Sequence, residues 1–368
     1  MNRLIVALIL VLNLLPGCKK STNDPIWERS FGVGNAFFIR ATADSGLISC
    51  GELGGKPYVL KLDRNKSIIS EYKSSDDGLF SSAWFNSDIT IVAGSSKGKM
   101  LIAWLDNQSN PIRDTTFSSD YHIDYSSVCY LGNSKLLAVG SASPDSANSG
   151  ATGLYFVWFN TAGSLTDKKE IKETSFISAN RVITDNSGNI YLSLTRKSAG
   201  SKSKATVAKF NSQLQKLWET EIYNNPGFGA SSLGIYLDNT GIIYATGNTE
   251  LPVVSGTSYS SFSAKLTNNG IVQWRKYPEN SNSGSAVIID KNGQVLMLNH
   301  NCFIINILNP DDGSTTGTVR AFDVCDSKNT NAFGQDLDII FDGNIIMAGS
   351  KGGGFYLALK PPVSLPTF

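Results

Sequence analysis

Short apolar runs recur along the chain at a near-regular interval, and they come in pairs. The first of each pair occupies residues 46–51, 89–94, 135–140, 189–194, 242–247, 294–298 and 344–349. Most of these runs are apolar at successive positions, which predicts strands covered on both faces. Five of them end in Gly (Gly51, Gly94, Gly140, Gly247 and Gly349). After a loop of variable length comes the second run, at 58–63, 101–106, 155–160, 205–211, 262–267, 303–309 and 355–360. Most of these close on Asp or Asn, whose short side chain caps the amides of a tight turn. The chain then returns as a more polar strand, clearest at 216–222 and 271–277. Ahead of the first runs, the stretches 185–188, 238–241, 290–293 and 341–343 read as hairpin turns.

Tandem units of roughly 40 to 55 residues that are nearly all strand read as the blades of a β-propeller. Seven units are present, and the incomplete one fixes the count. The last unit has no returning strand after 355–360, while residues 26–31 form a returning strand with no unit before it. An open sheet edge is a pairing hazard, so the N-terminal strand is expected to complete the last blade. The predicted fold is all-β: a seven-bladed propeller of four-stranded antiparallel blades over residues 25–362, with a tail at 363–368. A repeat architecture also accommodates 368 residues in one domain.

The units resemble SBBP and related quinoprotein-like repeats of exported bacterial proteins. Residues 238–277 carry the likeness most fully, with Gly-x-Ile-Tyr-x-x-Gly-Asn-Thr at the start and Gly-Ile-Val-Gln-Trp at the end. Trp27, Trp218 and Trp274 occupy the same place in their units, whereas the second unit, ending at 111–117, departs toward a sister repeat with Asp in place of Trp. The resemblance implies a fold and supplies no catalytic residue.

Residues 1–17 read as a signal peptide: Arg3 is followed by an apolar run from Leu4 to Leu15, too short to span a bilayer. Leu15, Pro16, Gly17 and Cys18 then resemble a bacterial lipobox, with Lys19 and Lys20 following as in lipoproteins of the Bacteroidota. That resemblance implies acylation of Cys18, a polar tether over 18–24, and a membrane partner reached through the lipid alone. With Lys at position 19 it also implies the outer membrane of a Gram-negative cell, facing the periplasm or exposed at the surface.

Lys and Arg number 32 against 31 Asp and Glu, with no block of five like charges, so the footprint for nucleic acid is missing. Only His122 and His300 are available for a triad or a two-histidine metal site, and they fall in different units. Ser96 lies in a Gly-x-Ser-x-Gly match between two strands, where a nucleophile elbow needs a strand and a helix. Lys99 is followed by Met100, without the hydroxyl a phosphate loop requires. The Asp-rich turns lack the alternating carboxylates of a calcium loop. No cofactor and no metal is therefore expected. Export permits a disulfide, and Cys302 with Cys325 is the expected pair; Cys50 and Cys129 lie inside apolar strand patterns and read as buried thiols.

Short turns share one face of such an array and long segments the other. The long segments are 141–153, 196–204, 248–261 and 323–333. Long loops on a rigid scaffold carry recognition. Near this face the innermost strands should begin with polar residues around the central channel: Asn35, Ser81, Ser126, Asn180, Ser231, Ser285 and Asp336. These are the candidate ligand contacts for a glycan or other small polar ligand, against the alternative of a water-filled channel. The expected function is a lipid-anchored binding or scaffold module for a glycan, peptide or protein partner, or a structural envelope protein. The alternative is a propeller enzyme, a lyase or glycosidase at the channel mouth, for which Asp124, Asp336 and Asp338 are scattered carboxylate candidates.

Overall fold

The computed structural model describes residues 25–119, 121–143, 153–173, 175–223, 228–253, 256–277, 283–320 and 332–362. All of its named elements are strands, and among the described residues no helix is long and apolar enough to cross a membrane. Cys18, Cys325 and the signal segment lie outside the described residues.

β1 (Trp27–Ala41), β2 (Leu47–Leu53), β3 (Lys56–Leu62) and β4 (Ile68–Lys73) form the first antiparallel meander. Four-stranded antiparallel sheets follow in chain order. The first holds β5 (Gly78–Phe85), β6 (Ile89–Ser96), β7 (Lys99–Asp106) and β8 (Pro111–Phe117). The next holds β9 (His122–Gly132), β10 (Lys135–Ser143), β11 (Gly153–Asn160) and β12 (Leu165–Lys172). After it come β13 (Phe176–Thr184), β14 (Ile190–Lys197), β15 (Lys204–Phe210) and β16 (Lys216–Glu221). Then come β17 (Ala230–Leu237), β18 (Ile243–Val253), β19 (Gly256–Leu266) and β20 (Val272–Lys276). β21 (Gly284–Ile289), β22 (Val295–Asn299), β23 (Ile304–Leu308) and β24 (Thr315–Arg320) make the last of the separate sheets. β25 (Ala332–Ile339), β26 (Ile345–Lys351) and β27 (Gly354–Lys360) join β1, giving one seven-stranded sheet in the order β25-β26-β27-β1-β2-β3-β4.

The two apolar runs of each unit are its second and third strands, and both faces are covered because core clusters form between neighbouring sheets. One cluster joins Tyr191 and Val207 to Ile235 and Phe262; another joins Ile288 and Leu298 to Leu337 and Met347. Outer strands such as β12 remain largely exposed, as their mixed sequence requires.

The N-terminal strand pairs with the last sheet as expected, but it does not stop there. Trp27 to Val33 pair with β27 from Leu359 to Gly354, and Gly34 to Ala41 continue as the partner of β2. The switch falls at Gly32 and Gly34, with φ of +120° and +155°. A Cβ on Gly34 would lie 2.1 Å from the Glu52 carbonyl oxygen, so only glycine permits this crossing. Phe31 meets the Phe355 ring edge-on at 6.1 Å, and Glu28 accepts from Lys351 Nζ at 2.8 Å and from the Tyr356 hydroxyl.

Two expectations are corrected. The segment 248–261 is not an irregular loop: β18 and β19 stay paired from Ile243–Leu266 out to Val253–Gly256. In the second unit the residue in the Trp place is Arg113, not Asp114. Arg113 lies opposite Trp104 as Trp218 lies opposite Lys209. Its role is the same: Arg113 Nη1 donates to Gly163 O at 3.1 Å, and Trp218 Nε1 to Asn268 O at 3.0 Å, each clasping a turn of the following sheet. The Asp-rich turns are capped as their composition predicts, Asp238 Oδ1 accepting from Thr240 N at 2.8 Å and Ile242 N at 2.9 Å.

Candidate functional site

In every innermost strand the ladder to the next strand slips at the same place. One residue stands unpaired between Ala36 and Phe38, Phe80 and Ser82, Ala179 and Arg181, Ser232 and Gly234, Gly284 and Ala286, and Gly334 and Asp336; in β9 the slip spans Asp124 and Tyr125. These are β-bulges, which re-aim a side chain out of the sheet. The bulged residues Phe37, Ser81, Tyr125, Asn180, Leu233, Ser285 and Gln335 all line one cavity of 720 Å³.

Four of the five run-ending glycines are the counterpart of these bulges, while a Cβ on Gly140 would meet Ile123 Cγ2 at 2.7 Å. A Cβ on Gly94 would lie 1.9 Å from Leu79 O, because the bulge pushes that carbonyl into the space a side chain needs; Gly51, Gly247 and Gly349 face the same 1.9 Å approach. The pattern visible in sequence as a strand ending in Gly is therefore the trace of the partner strand's bulge.

The bulge moves several contacts by one or two residues from their expected positions. Ser81, Asn180 and Ser285 line the cavity as expected. Asn35, Ser126, Ser231 and Asp336 are not among its lining residues, where Phe37, Tyr125, Leu233 and Gln335 stand instead. Ser126 is buried. Of the lining set, Ser81 Oγ donates to Ser126 O at 2.6 Å and Asn180 Nδ2 to Ser232 O at 2.6 Å. Asn248 on β18, Tyr259 on β19, Ser283 just before β21, and His300 and Asn301 just after β22 also line it, as does Arg181 on β13. Phe37 and Tyr125, from sheets that are not adjacent, meet edge to face at 6.0 Å.

Asp336 lies directly after a bulge and is buried in an ion cluster. Arg40 Nη1 stands 2.7 Å from Asp336 Oδ2, Arg181 Nη2 is 3.2 Å from Oδ1, and Ile39 N donates to Oδ2 at 3.2 Å. β13 and β25 belong to sheets three apart in chain order, so Arg181 reaches across the interior, and it also borders the cavity. Burial acts to lower the Arg40 pKa, but the carboxylates of Asp336 and Asp338 outweigh it and the net shift is upward. Burial pushes the Asp338 carboxyl above its usual range, against Arg40 and the Ala41 amide that donates to it at 2.8 Å.

His300 also lines the cavity, its ring stacked on Phe333 at 5.0 Å. Its Nδ1 stands 3.1 Å from Gly334 O. A carbonyl only accepts, so Nδ1 carries the proton and Nε2 is the basic atom. Burial lowers the His300 pKa below 6.5 despite that hydrogen bond, which favours the neutral ring. His122 does not join it: Nε2 of His122 pairs with Asp124 Oδ1 at 3.0 Å, outside the cavity lining. Asp124, Asp336 and Asp338 do not converge on the cavity, whose described lining contains no Asp or Glu. Among the described residues no group of three or more His, Cys, Asp or Glu is placed to hold a metal. Cys302 is disulfide-bonded, while Cys50 and Cys129 are buried free thiols; Cys325, its expected partner, lies outside the described residues.

Neither a protein-family model nor a curated protein matches the chain. Solved structures do. Virginiamycin B lyase from Staphylococcus aureus aligns at a TM-score of 0.63 and 8% identity, over 91% of this chain and 99% of that one. A catalytically inactive form of that lyase with quinupristin aligns at 0.62. The extracellular domain of a putative hybrid two-component system from B. thetaiotaomicron aligns at 0.55 and 13% identity, over 93% of this chain and 40% of that one. At these identities the likeness is one of fold, a β-propeller.

Proposed function

We propose that this chain is a lipid-anchored envelope propeller, built of SBBP-type repeats, that binds a polar saccharide-like ligand in its central cavity. The observation that carries this reading is the convergence of one bulged residue from each unit on a single 720 Å³ space, within the roughly 300–1,000 Å³ of ordinary ligand sites. Phe37, Tyr125 and Tyr259 offer aromatic faces to the apolar side of a sugar ring, and Asn248, Asn301 and Gln335 offer amides to its hydroxyls. The double pairing of β1 supports a closed ring of seven blades in which the N-terminal strand completes the last. The lipobox-like residues before Cys18 support acylation there and an outer-membrane position, facing the periplasm or the surface.

The mature chain carrying Cys18→Ser tests the reading in a thermal-shift panel of glycans, cell-wall fragments and peptides. A ligand at about 100 times its dissociation constant stabilises the fold by about 2.7 kcal/mol, and Phe37→Ala or Asn248→Ala should abolish the shift. Silence across the panel, with partners found only by crosslinking in intact envelopes, points to a protein scaffold. The anchor has its own test: a clickable fatty acid should label the full chain and not its Cys18→Ser form.

His300 favours a second reading, an elimination catalyst. A neutral imidazole with Nδ1 fixed and Nε2 free to take a proton suits a lyase base. The glycosidase form of the alternative is weaker, since it needs two carboxylates and none lines the described cavity. Turnover of a bound ligand that is lost in His300→Ala, with binding retained, supports the lyase.

A further inference from the structure

We infer that the ligand of this cavity is a saccharide bearing a carboxylate, and that the carboxylate seats on Arg181; this rests on the binding reading of the same cavity. The first ground is the charge of the wall. Its described lining includes a single Arg, no Lys and no carboxylate, with His300 the only other side chain there able to carry a positive charge. A cationic ligand would therefore be desolvated there without a counter-charge, whereas an anion meets one.

The second ground is how the guanidinium is used. Among the described residues Arg181 Nη1 donates to Asp336 Oδ2 at 3.3 Å, and Nη2 stands 3.2 Å from Oδ1. A guanidinium has five N–H donors, so about three remain on a side chain that borders the cavity and is only 14% exposed. Asp336 is shared, because the same carboxylate also holds Arg40 at 2.7 Å and the Ile39 amide. With Asp338 beside Arg40, two carboxylates face two guanidiniums, but of these four groups only Arg181 borders the cavity. Asp338, two residues further along β25, faces Arg40 and the Ala41 amide and does not line the cavity.

The third ground is the match to a monoanion. One guanidinium with paired donors to spare suits a carboxylate, which accepts in bidentate fashion. A phosphate dianion or a polysulfated chain calls for several cations, and the described wall offers one. The aromatic and amide groups that share the cavity with Arg181 then fit the neutral remainder of a uronate-type sugar: Tyr125 and Tyr259 stand exposed at 46% and 53%, and Asn301 and Gln335 line the same space.

Isothermal titration of the Cys18→Ser mature chain compares trigalacturonate, its carboxyl-reduced galactose trimer, and a short peptide with a free or amidated C-terminus. The expected result is binding of trigalacturonate at least about tenfold tighter than of the reduced trimer, weakening as salt rises. Arg181→Gln should remove that preference while leaving the melting transition cooperative, because Asp336 keeps Arg40 as its partner; Arg181→Lys should keep part of it. Equal binding of the neutral trimer, or an acid preference that survives Arg181→Gln, overturns this inference and leaves the cavity reading standing. Binding confined to the free-carboxylate peptide overturns the saccharide class. No binding in any arm overturns both.

Discussion

Replacing Asp336 with Ala removes the single carboxylate between two guanidiniums. Its side chain is 2% exposed, against 14% for Arg181 and 32% for Arg40. Breaking a buried ion cluster by deleting one partner costs about 3–5 kcal/mol, and the Ile39 amide loses its acceptor as well, about 1 kcal/mol. Arg40 can turn partly to water, which places the expected loss near the low end, about 3–4 kcal/mol. At about 2 °C per kcal/mol for a domain of this size the melting point should fall by roughly 6–8 °C. Calorimetry at low and high salt is the assay, since a buried cluster is screened little. Asp76→Ala, at the exposed Lys97 pair, serves as the control and should melt with the parent. The sign of the second mutation is the sharper test. Adding Arg181→Ala to Asp336→Ala removes one stranded cation and should recover part of the loss. An Asp336→Ala chain melting within about 1 °C of the parent, or a double variant less stable than the sum of the singles, refutes a cluster in which Asp336 offsets two charges.

Deleting residues 26–31 should bare the edge of β27, lower the melting point and promote aggregation seen by light scattering; unchanged melting would refute the seven-blade closure. Gly94→Ala should cost about 1–3 kcal/mol or more in urea unfolding, because the added Cβ meets Leu79 O at 1.9 Å. The His300 pKa is lowered in the folded chain, so folding favours the neutral ring and its contribution is present above pH 6.5 and lost as pH falls below that value. His300→Gln should flatten that stretch of the stability curve, and a curve that keeps its slope there refutes the assignment. Non-reducing peptide mapping should recover Cys302 linked to Cys325 and leave Cys50 and Cys129 alkylatable only after unfolding.

The strands were legible because their signals are local. Burial on two faces writes itself as an unbroken apolar run, and a tight turn writes itself as Asp or Asn at the end of one. The cavity was legible only to within a residue or two. Reading polar starts to the inner strands selects Asn35, Ser126, Ser231 and Asp336, and the bulge presents Phe37, Tyr125, Leu233 and Gln335 instead. The correcting signal was present in the recurring run-end glycine, which marks a close carbonyl across the ladder. Nothing local announces the ion cluster: Arg40 and Arg181 lie 296 and 155 residues from Asp336, and only the fold brings them together.

A site built from bulges has a consequence for how such a chain changes ligand. A bulged residue is left out of the ladder, so its side chain escapes the cross-strand pairing that constrains its neighbours. Here the seven positions hold Phe, Ser, Tyr, Asn, Leu, Ser and Gln, a set with no common chemistry. Several of the residues directly after them are held to structural tasks: Phe38 is core, Ser82 accepts from Val128 N at 3.2 Å, and Asp336 gathers the two arginines. Specificity and stability thus alternate along the same short stretch of strand. Substitution at a bulge should alter what the cavity binds at little cost in folding, whereas the same substitution one residue later should cost folding first, except at Arg181, which follows a bulge and still borders the cavity.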